Sequence, residues 1–294
     1  MNTYYETAVC RNLGLVNPDE QQKLLSSRVA VAGLGGLGGI NLLTLVRMGI
    51  GAFNIADLDE FSAANSNRQI GATSSTVDRK KTEVLAEMAK DIHPSLSMQV
   101  FNEGVQPENV HAFLKDVDVV VDSIDFFQME ARRLLHKTAR ELKIPVVFSA
   151  PLGFSGTLHV FTADSMSFDE YFDINDDMDN YTKLVAFAVG LCPRGTHWKY
   201  MDSSKVDLTS QSGPSLSSAC NIASGLLTTE ALCLLLNRDE RQVKAAPHYT
   251  QFDPYRRIYR TGRLHFGNRG PIQKLKRWLV ARQFRDQADA LNQK

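Results

Sequence analysis

The stretch Val29-Ala-Val-Ala-Gly-Leu-Gly-Gly-Leu-Gly-Gly39 joins a short apolar strand to a glycine-rich turn. Within it, Gly33, Gly35 and Gly38 fit the pattern G-x-G-x-x-G. Glycine adopts the positive φ that a tight strand-to-helix turn requires, and its missing side chain lets backbone N–H groups approach phosphate oxygens. The stretch predicts a nucleotide-binding turn, although similar turns also join strands to helices where no ligand binds.

Helical and strand patterns alternate on either side of this turn. A helix is predicted over Ile40–Met48 and a strand over Ala52–Asp57, which completes a βαβ unit. The later elements are a helix over 79–91 capped by Asp78, strands over 98–101 and 117–123, a helix over 128–143 and a strand over 145–150. This order predicts an α/β fold: a Rossmann-like, doubly wound, mostly parallel sheet with additional C-terminal strands and helices. Ligands of such sheets bind beyond the carboxyl ends of the strands.

Composition narrows the class of protein. The chain has 294 residues, with 33 basic and 33 acidic side chains, so a polyanionic partner would require a local patch. Four cysteines form no C-x-x-C pair, and we therefore expect neither a structural zinc site nor a disulfide framework. They are Cys10, Cys192, Cys220 and Cys233.

The cellular compartment is predicted from the amino terminus and from the longest apolar run. The amino terminus lacks a basic region followed by an apolar one, so no secretory signal is expected. The longest apolar run, Ala219–Leu236, contains polar side chains and Glu230, which indicates a buried helix rather than a membrane span. We expect a cytoplasmic protein.

The chain is predicted to hold one domain over 1–265, including a crossover loop at 164–218, followed by a basic tail at 266–294. Residues 164–179 carry seven acidic side chains and no Lys or Arg. Such a run is typical of a solvated loop, the alternative being a docking surface for a basic partner. In the tail, Pro271 starts a predicted amphipathic helix. Its apolar stripe is Ile272, Leu275, Trp278 and Leu279. The stripe could dock on the protein itself or on a dimer mate, or the basic face could bind RNA or an anionic membrane.

Polar side chains follow the glycine turn at positions that suit a triphosphate. Asp57 lies 19 residues beyond Gly38, where a carboxylate can accept hydrogen bonds from ribose hydroxyls. Arg68 and Lys81 would suit the β- and γ-phosphates. Asp125, just past a strand end, would repel a triphosphate unless a cation lay between them, so we interpret it as a Mg²⁺ ligand.

Five blocks together resemble the E1-like adenylating enzymes, the group of the ThiF, MoeB and HesA proteins. The blocks are Gly33-x-Gly35-Gly36-x-Gly38, Asp57-x-Asp59, Asn65-x-x-Arg68-Gln69, Lys81 and Asp122-Ser-Ile-Asp125. The resemblance covers residues 6–162 well and the remainder loosely. It implies that Asp57 binds ribose, that Asn65, Arg68 and Lys81 hold phosphates, and that Asp125 binds Mg²⁺. It also implies that Arg11 reaches the ATP of a partner subunit, and hence a homodimer.

Three departures from the family pattern concern zinc, the substrate and the thioester cysteine. The family's zinc-binding C-x-x-C pairs are absent, so the chain resembles a zinc-free branch. Phe126 follows Asp125 where many members have asparagine, and Asn65–Ile70 is similar to the tRNA threonylcarbamoyladenosine dehydratases. No cysteine stands in a recognisable thioester motif. Cys192 is the best positional candidate, the alternative being a buried, structural cysteine.

These features predict an ATP-dependent adenylyltransferase that activates a carboxylate and releases pyrophosphate. The expected substrate is the C-terminal carboxylate of a ubiquitin-like or sulfur-carrier protein or of a peptide. The first alternative is a cyclase similar to the tRNA dehydratases, acting on modified tRNA. The second is an NAD(P)- or FAD-dependent oxidoreductase, which would share the glycine turn and Asp57 but would leave Arg68, Lys81 and Asp125 without a role.

Overall fold

The computed structural model describes residues 3–288 and is built on one eight-stranded sheet. In chain order the strands are β1 (Arg28–Ala32), β2 (Ala52–Ala56), β3 (Ser97–Phe101), β4 (Val119–Asp122), β5 (Val146–Leu152), β6 (Ser155–Phe161), β7 (His248–Asp253) and β8 (Ile258–Arg263). Their order in the sheet is β3-β2-β1-β4-β5-β6-β7-β8. The first five strands are parallel, and the last three pair antiparallel. The predicted fold class is confirmed.

Helices cover both faces of the sheet. Within the described residues the α-helices are α1 (Thr3–Ala8), α2 (Pro18–Ser26), α3 (Gly38–Arg47), α4 (Lys81–Ile92), α5 (Val110–Phe113), α6 (Met129–Glu141), α7 (Phe168–Phe172), α8 (Asn180–Leu191), α9 (Ser217–Leu236) and α10 (Pro271–Gln283). Short 3-10 turns lie at 10–12, 63–65, 196–199, 203–205, 267–269 and 285–287.

The parallel strands are buried on both sides, as their continuous apolar sequence requires. Val29 and Val31 of β1 pack with residues of α2, α3, α4 and α9. Ala30 and Ala32 of the same strand face the opposite layer, formed by α5 to α8. Both layers bury large apolar side chains completely, so the sheet is a rigid support for the loops that leave its carboxyl edge.

The segment between β6 and β7 differs from the predicted crossover loop. It contains α7 and α8, whose buried aromatic side chains join the core, for example Tyr171 and Phe187. The acidic run at 164–179 is not simply a solvated loop, because Arg133 of α6 pairs with Asp169 and Asp176, each at 2.8 Å. The longest irregular connection within 164–218 is 192–216, which holds the two turns at 196–199 and 203–205.

One predicted helix start is wrong. Asp78 does not cap a helix that begins at residue 79; it sits in a turn at φ +65, and α4 begins at Lys81. Lys81 is therefore the first residue of α4, and its side chain is 7% exposed.

The C-terminal helix α10 begins at Pro271, as predicted, but its orientation differs from the expectation that the apolar stripe docks on the protein itself. The inward contacts include polar ones: Gln273 donates to Asn268 Oδ1 at 3.2 Å, and Arg277 pairs with Asp173 at 2.5 Å. Val280 and Ala281 of the same helix pack against the core. The apolar stripe is exposed, at 69% for Ile272 and 58% for Leu275. Residues 289–294 of the predicted tail, including Asp289 and Lys294, lie outside the described residues.

Among residues 3–288, α9 is the single helix long and apolar enough to cross a membrane by length and composition. Of its most apolar window, 56% is buried inside the protein. The helix packs on β5, β6 and α3, which matches the buried helix predicted from its polar residues.

Candidate active site

The glycine turn leaves β1 at the carboxyl edge of the sheet. Gly33 has φ +85, and a side chain there would overlap the carbonyl oxygen of Ser123 after β4. A side chain at Gly38, the first residue of α3, would overlap the carbonyl oxygen of Gly33. These two glycines are therefore required by the turn itself. Gly35 has more room, since a Cβ there would lie 3.7 Å from Gln69, whereas one at Gly36 would lie 3.2 Å from Cys220 Sγ and 3.4 Å from Arg68.

Asp57, directly after β2, is bound to the same turn. Its Oδ2 accepts the Leu34 N–H at 2.6 Å, and its Oδ1 accepts the Asp59 N–H at 2.8 Å. Burial raises the pKa of this carboxyl group, against the opposing effects of Lys81 and the two N–H donors. A nearly buried carboxylate beside the start of α3 is well placed for hydrogen bonds to ribose hydroxyls.

Lys81 lies beside both carboxylates of the Asp57-x-Asp59 block. Its Nζ is 2.7 Å from Asp59 Oδ2 and 3.9 Å from Asp57 Oδ1. The Lys81 N–H also donates to the Asp59 carbonyl at 3.1 Å, which fixes the start of α4 against this loop. The side chain of Asp59 is 56% exposed, so an anionic ligand can take over the ammonium group without removing a buried carboxylate.

Arg68 and Asn65 lie on the loop that crosses the glycine turn. The Arg68 guanidinium donates to Asn67 Oδ1 at 2.8 Å and to the Ala64 carbonyl at 3.1 Å. Asn65 Oδ1 accepts the Ser62 N–H at 3.0 Å and so caps the turn at 63–65. The loop is thus folded around local polar contacts, with Arg68 packed over Gly36.

Asp125 follows β4 on the neighbouring loop. Its side chain is exposed, and its Oδ1 accepts the Phe127 N–H at 3.0 Å. Mg²⁺ in nucleotide sites typically takes one or two protein carboxylates and completes its shell with phosphate oxygens and water. An exposed carboxylate at the same sheet edge as the glycine turn fits that requirement, so Asp125 is the residue that would hold the ion.

A buried arginine, missed by sequence reasoning, holds the Asp125 loop. Arg132 of α6 is 1% exposed, and its guanidinium donates to the carbonyl oxygens of Ile124 and Asp125, the latter at 3.1 Å. Its Nε pairs with Asp122 Oδ2 at 2.9 Å. Arg132 stands seven residues after Asp125, on the first turn of the following helix. That spacing is the sequence signal that could have indicated it.

Asp122, at the end of β4, is unavailable to a ligand. It is fully buried, and besides Arg132 it contacts His136 Nε2 at 2.9 Å and the Ile124 N–H at 3.0 Å. Burial opposes its ionisation, but the charge of Arg132 and the His136 hydrogen bond outweigh burial and lower the pKa of the carboxyl group. The two carboxylates of Asp122-Ser-Ile-Asp125 therefore differ in role: Asp122 anchors the loop, and Asp125 projects from it.

Arg11 lies away from this group in its own chain. It is exposed on the turn at 10–12, and no hydrogen bond or ion pair joins its side chain to any residue of the range 3–288. Its neighbour Asn12 donates to the Met48 carbonyl at 3.1 Å, at the C-terminal end of α3. The glycine turn lies at the other end of that helix, about 15 Å away.

Cys192 and Cys220 are buried, and Cys220 lies beside the glycine turn. Burial raises the pKa of Cys192 to about 11, so its thiol is protonated at neutral pH and is not positioned as a nucleophile in this conformation. Cys220 of α9 packs against the glycine turn, with its Sγ 3.2 Å from where a Cβ on Gly36 would lie. Asn67 donates to the Ser215 carbonyl at 3.0 Å, and so the start of α9 closes over the glycine turn. No pattern in the sequence indicates this contact.

Comparison with known proteins gives the family. The ThiF family model matches residues 9–268. The tRNA threonylcarbamoyladenosine dehydratase of Haemophilus influenzae is 31% identical over 137 residues, which are 46% of this chain and 52% of that protein. The sulfur carrier protein ThiS adenylyltransferase of Escherichia coli is 33% identical over 144 residues, 49% and 57% of the two chains. The chain thus matches about half the length of these curated relatives.

Solved structures share the fold at lower identity. PaaA has a TM-score of 0.66 at 17% identity, covering 89% of this chain and 82% of that one. The E. coli tRNA dehydratase has a TM-score of 0.59 at 21% identity, covering 81% and 97%, and it has been crystallised with AMP and with ATP. Because the family model spans most of the sequence and the fold agrees, the chain belongs to the ThiF family.

Proposed function

We propose that the protein activates a carboxylate by ATP-dependent adenylation. The observation that carries this proposal is the convergence, at one sheet edge, of the glycine turn, the ribose-type carboxylate Asp57, the cations Lys81 and Arg68, and the exposed carboxylate Asp125. An oxidoreductase needs the first two features alone. The additional cations and the second carboxylate match the charge of a triphosphate with its metal ion.

In the proposed reaction, a carboxylate oxygen of the substrate attacks the α-phosphorus of ATP. The bond between that phosphorus and the oxygen bridging to the β-phosphorus breaks, which gives an acyl-adenylate and pyrophosphate. Such a transfer needs no covalent help from the protein, and catalysis consists of positioning and charge neutralisation.

Each residue has a defined task in that scheme. Backbone N–H groups at the start of α3 face the phosphates, and Asp57 orients the ribose. Lys81, released from Asp59, and Arg68 offset the charge that develops on the leaving pyrophosphate. Mg²⁺ held by Asp125 would supply further charge neutralisation when bound. Arg132 keeps the Asp125 loop in place through the two backbone carbonyls.

The proposed substrate is the C-terminal carboxylate of a carrier protein or peptide. Support comes from relatives named as adenylyltransferases of sulfur carrier proteins, and from a solved neighbour, MccB, crystallised with MccA. The alternative substrate is a modified tRNA. Two relatives named as tRNA dehydratases, and the motif Asn65–Ile70, favour it.

A homodimer forms part of the proposal. Arg11 lies about one length of α3 from the glycine turn of its own chain, too far for direct contact with the phosphates there. In a symmetric dimer the same residue can reach the site of the partner subunit. Exposed apolar side chains beside it, Leu13 at 50% and Leu15 at 81%, support an interface at this place.

ATP–pyrophosphate exchange tests the proposal. The purified chain is incubated with ATP, Mg²⁺ and labelled pyrophosphate, together with carrier proteins ending in Gly-Gly, peptides, small acids or modified tRNA in turn. Exchange that depends on one of these acids would support adenylation and identify the substrate class. Tight binding of NAD in place of ATP, or ATP hydrolysis to ADP without exchange, would contradict it.

A further inference from the structure

The charge of this protein is unevenly distributed. The chain as a whole balances 33 basic against 33 acidic residues. The segment 254–269, which covers the β7–β8 turn, β8 and the turn after it, contains no Asp or Glu. It contains five arginines, at 256, 257, 260, 263 and 269. Side chains alternate along β8, so Arg260 lies on the sheet face of Tyr249, and Arg263 lies on the other face. Arg263 and the exposed Arg257 of the β7–β8 turn present a local basic surface for a polyanion.

The same strands carry an open sheet face with aromatic rings. Thr250 and Phe252 of β7 are paired with Thr261 and Tyr259 of β8, so these four side chains lie on one face. The threonine hydroxyls are 2.9 Å apart, and the two rings are 6.0 Å apart at their centroids. Tyr259 is 68% exposed, so a planar group can approach it from solvent.

The sheet face of β7 and β8 is exposed to solvent because of the position of α9. Phe252 and Thr250 share their face with Gly156 and Leu158 of β6, and that face packs on Ala223 of α9. Helix α9 covers β5 and β6, while Tyr259, Thr261 and Arg263 of the edge strand remain exposed. We call the face formed by Thr250, Phe252, Tyr259, Thr261 and Arg263 the β7–β8 face.

We propose that the β7–β8 face binds RNA through unpaired bases. Exposed rings on an open sheet face stack on bases, and sheets of this kind read single-stranded RNA. Arginine forms paired hydrogen bonds with phosphate and also stacks on bases. An acidic protein could pair with the arginines, but its carboxylates would not stack on the aromatic rings. The arginines and the rings together therefore favour RNA over an acidic protein.

The β7–β8 face lies on the same side of the sheet as the site, and this step rests on the proposed adenylation with its alternative substrate, a modified tRNA. Strand β7 runs parallel to β5, so Asp253 and the turn after it lie at the same sheet edge as Asp125. Three strand spacings separate β4 from β7, about 14 Å. In this turn Tyr255 is 64% exposed and stacks on Phe154 at 5.0 Å. An RNA held on the face can extend along this edge to the adenylation site.

Fluorescence anisotropy with a labelled, unmodified tRNA transcript and with labelled oligouridine tests the inference, in the absence of ATP. Arg257→Glu/Arg263→Glu should weaken binding at least tenfold. It should also reduce the slope of log affinity against log salt by about 1.4, which corresponds to two lost contacts with single-stranded phosphates. Tyr259→Ala should weaken oligouridine binding about tenfold without changing that slope, and Tyr259→Phe should keep the affinity.

The matched control is Lys90→Glu/Lys115→Glu, which reverses two exposed lysines at the opposite sheet edge. A second control, Lys274→Glu/Arg282→Glu, reverses charge on α10. Both should leave the affinity for RNA within twofold of the wild type. Equal losses in the control pairs, unchanged binding of Tyr259→Ala, or equal competition by polyglutamate would overturn the inference, the last by indicating an acidic protein partner.

Binding of ATP, measured on the same variants, separates this inference from the proposed function. The β7–β8 variants should bind ATP as the wild type does, which also shows that they are folded. Failure of wild-type ATP binding or exchange would remove the adenylation proposal and leave RNA binding intact. Failure of RNA binding with normal exchange would remove the β7–β8 proposal alone.

Discussion

The two halves of the sheet differ in whether their charged side chains have partners within the protein. At the ends of the parallel strands the buried charges are paired: Lys81 lies between Asp57 and Asp59, and Arg132 binds Asp122. In the antiparallel half, Arg257, Arg263 and the ring of Tyr259 face solvent. The parallel edge is therefore organised before any ligand binds, whereas the antiparallel edge presents free groups to a partner.

The difference has a topological cause. Strands that run parallel bring the residues after β1, β2 and β4 to one edge, where their backbones contact each other: Gly33 N–H donates to the Ala56 carbonyl, and Ser123 N–H to the Ala32 carbonyl, both at 2.8 Å. The antiparallel strands β6 to β8 alternate direction and end at an open edge strand, so their polar groups spread over a surface.

The largest effect is expected at the parallel edge, from Asp125→Ala. The exposed carboxylate does not support the core, so the fold should survive while ATP–pyrophosphate exchange falls on the order of 10²–10³-fold. Exchange rates and circular dichroism are measured together. Asp118→Ala, at the opposite end of β4, is the matched control and should retain exchange. Wild-type exchange in Asp125→Ala would show that the charge at this edge is not used in catalysis.

Arg11→Ala tests whether a second subunit completes the parallel edge. Alone, this variant should lose about 100-fold in exchange, because a cation facing the phosphates is removed. Mixed with Asp125→Ala in equal amounts, it should recover about a quarter of the wild-type rate, since half of the dimers then carry one intact site of two. Subunit exchange is verified by native mass spectrometry. Absence of recovery would place Arg11 outside the partner's site.

Arg132→Lys tests whether the hydrogen bonds of Arg132 at the parallel edge position Asp125. Lysine keeps the charge beside Asp122 but loses the fork that holds the carbonyls of Ile124 and Asp125. We expect the Mg²⁺ concentration for half-maximal exchange to rise about tenfold, with a smaller change in rate at saturating Mg²⁺. Mg²⁺ titrations of the exchange rate measure both values.

His136→Gln is the control for that experiment, since it changes the other partner of Asp122 without touching the loop. It should lower the melting temperature and leave the Mg²⁺ dependence unchanged. If both variants shift the Mg²⁺ dependence equally, Arg132 supports the core and does not position Asp125.

The last effect is confined to acidic pH and is expected in the antiparallel half. His159 of β6 is fully enclosed beside Tyr171 and Phe172, and burial lowers its pKa to about 3. In the unfolded chain the pKa of histidine is about 6.5. Between these values the unfolded state binds the extra proton, so the free energy of unfolding should decrease as the pH falls, by about 1.4 kcal/mol per pH unit.

His159→Phe removes this proton uptake and should flatten the dependence between about pH 6.5 and 3, without effect above pH 7. Urea unfolding at a series of pH values measures the slope. His111→Phe, an exposed histidine on α5, should leave the slope unchanged. An unaltered slope in His159→Phe would mean that other groups cause the acid sensitivity.

The sequence by itself determined the parallel half of the fold. The glycines at 33 and 38, the apolar strands and the position of Asp57 follow local rules, because turn geometry and strand periodicity act over a few residues. The start of the C-terminal helix at Pro271 was predicted for the same reason. The family resemblance indicated Arg68, Lys81 and Asp125, and the structure brings Arg68 over Gly36, Lys81 beside Asp57, and Asp125 to the loop after β4.

Tertiary structure alone decided the remaining features, since these depend on residues far apart in the chain. The segment 164–179 became part of the core layer because the apolar side chains between its carboxylates, such as Tyr171 and Phe172, are buried, while Arg133 of α6 pairs with two of the carboxylates. Arg132 holds the Asp125 loop because its burial excludes the water that would compete for its hydrogen bonds. The open β7–β8 face exists because α9 ends its coverage at β6, a packing relation that no local pattern in the sequence encodes.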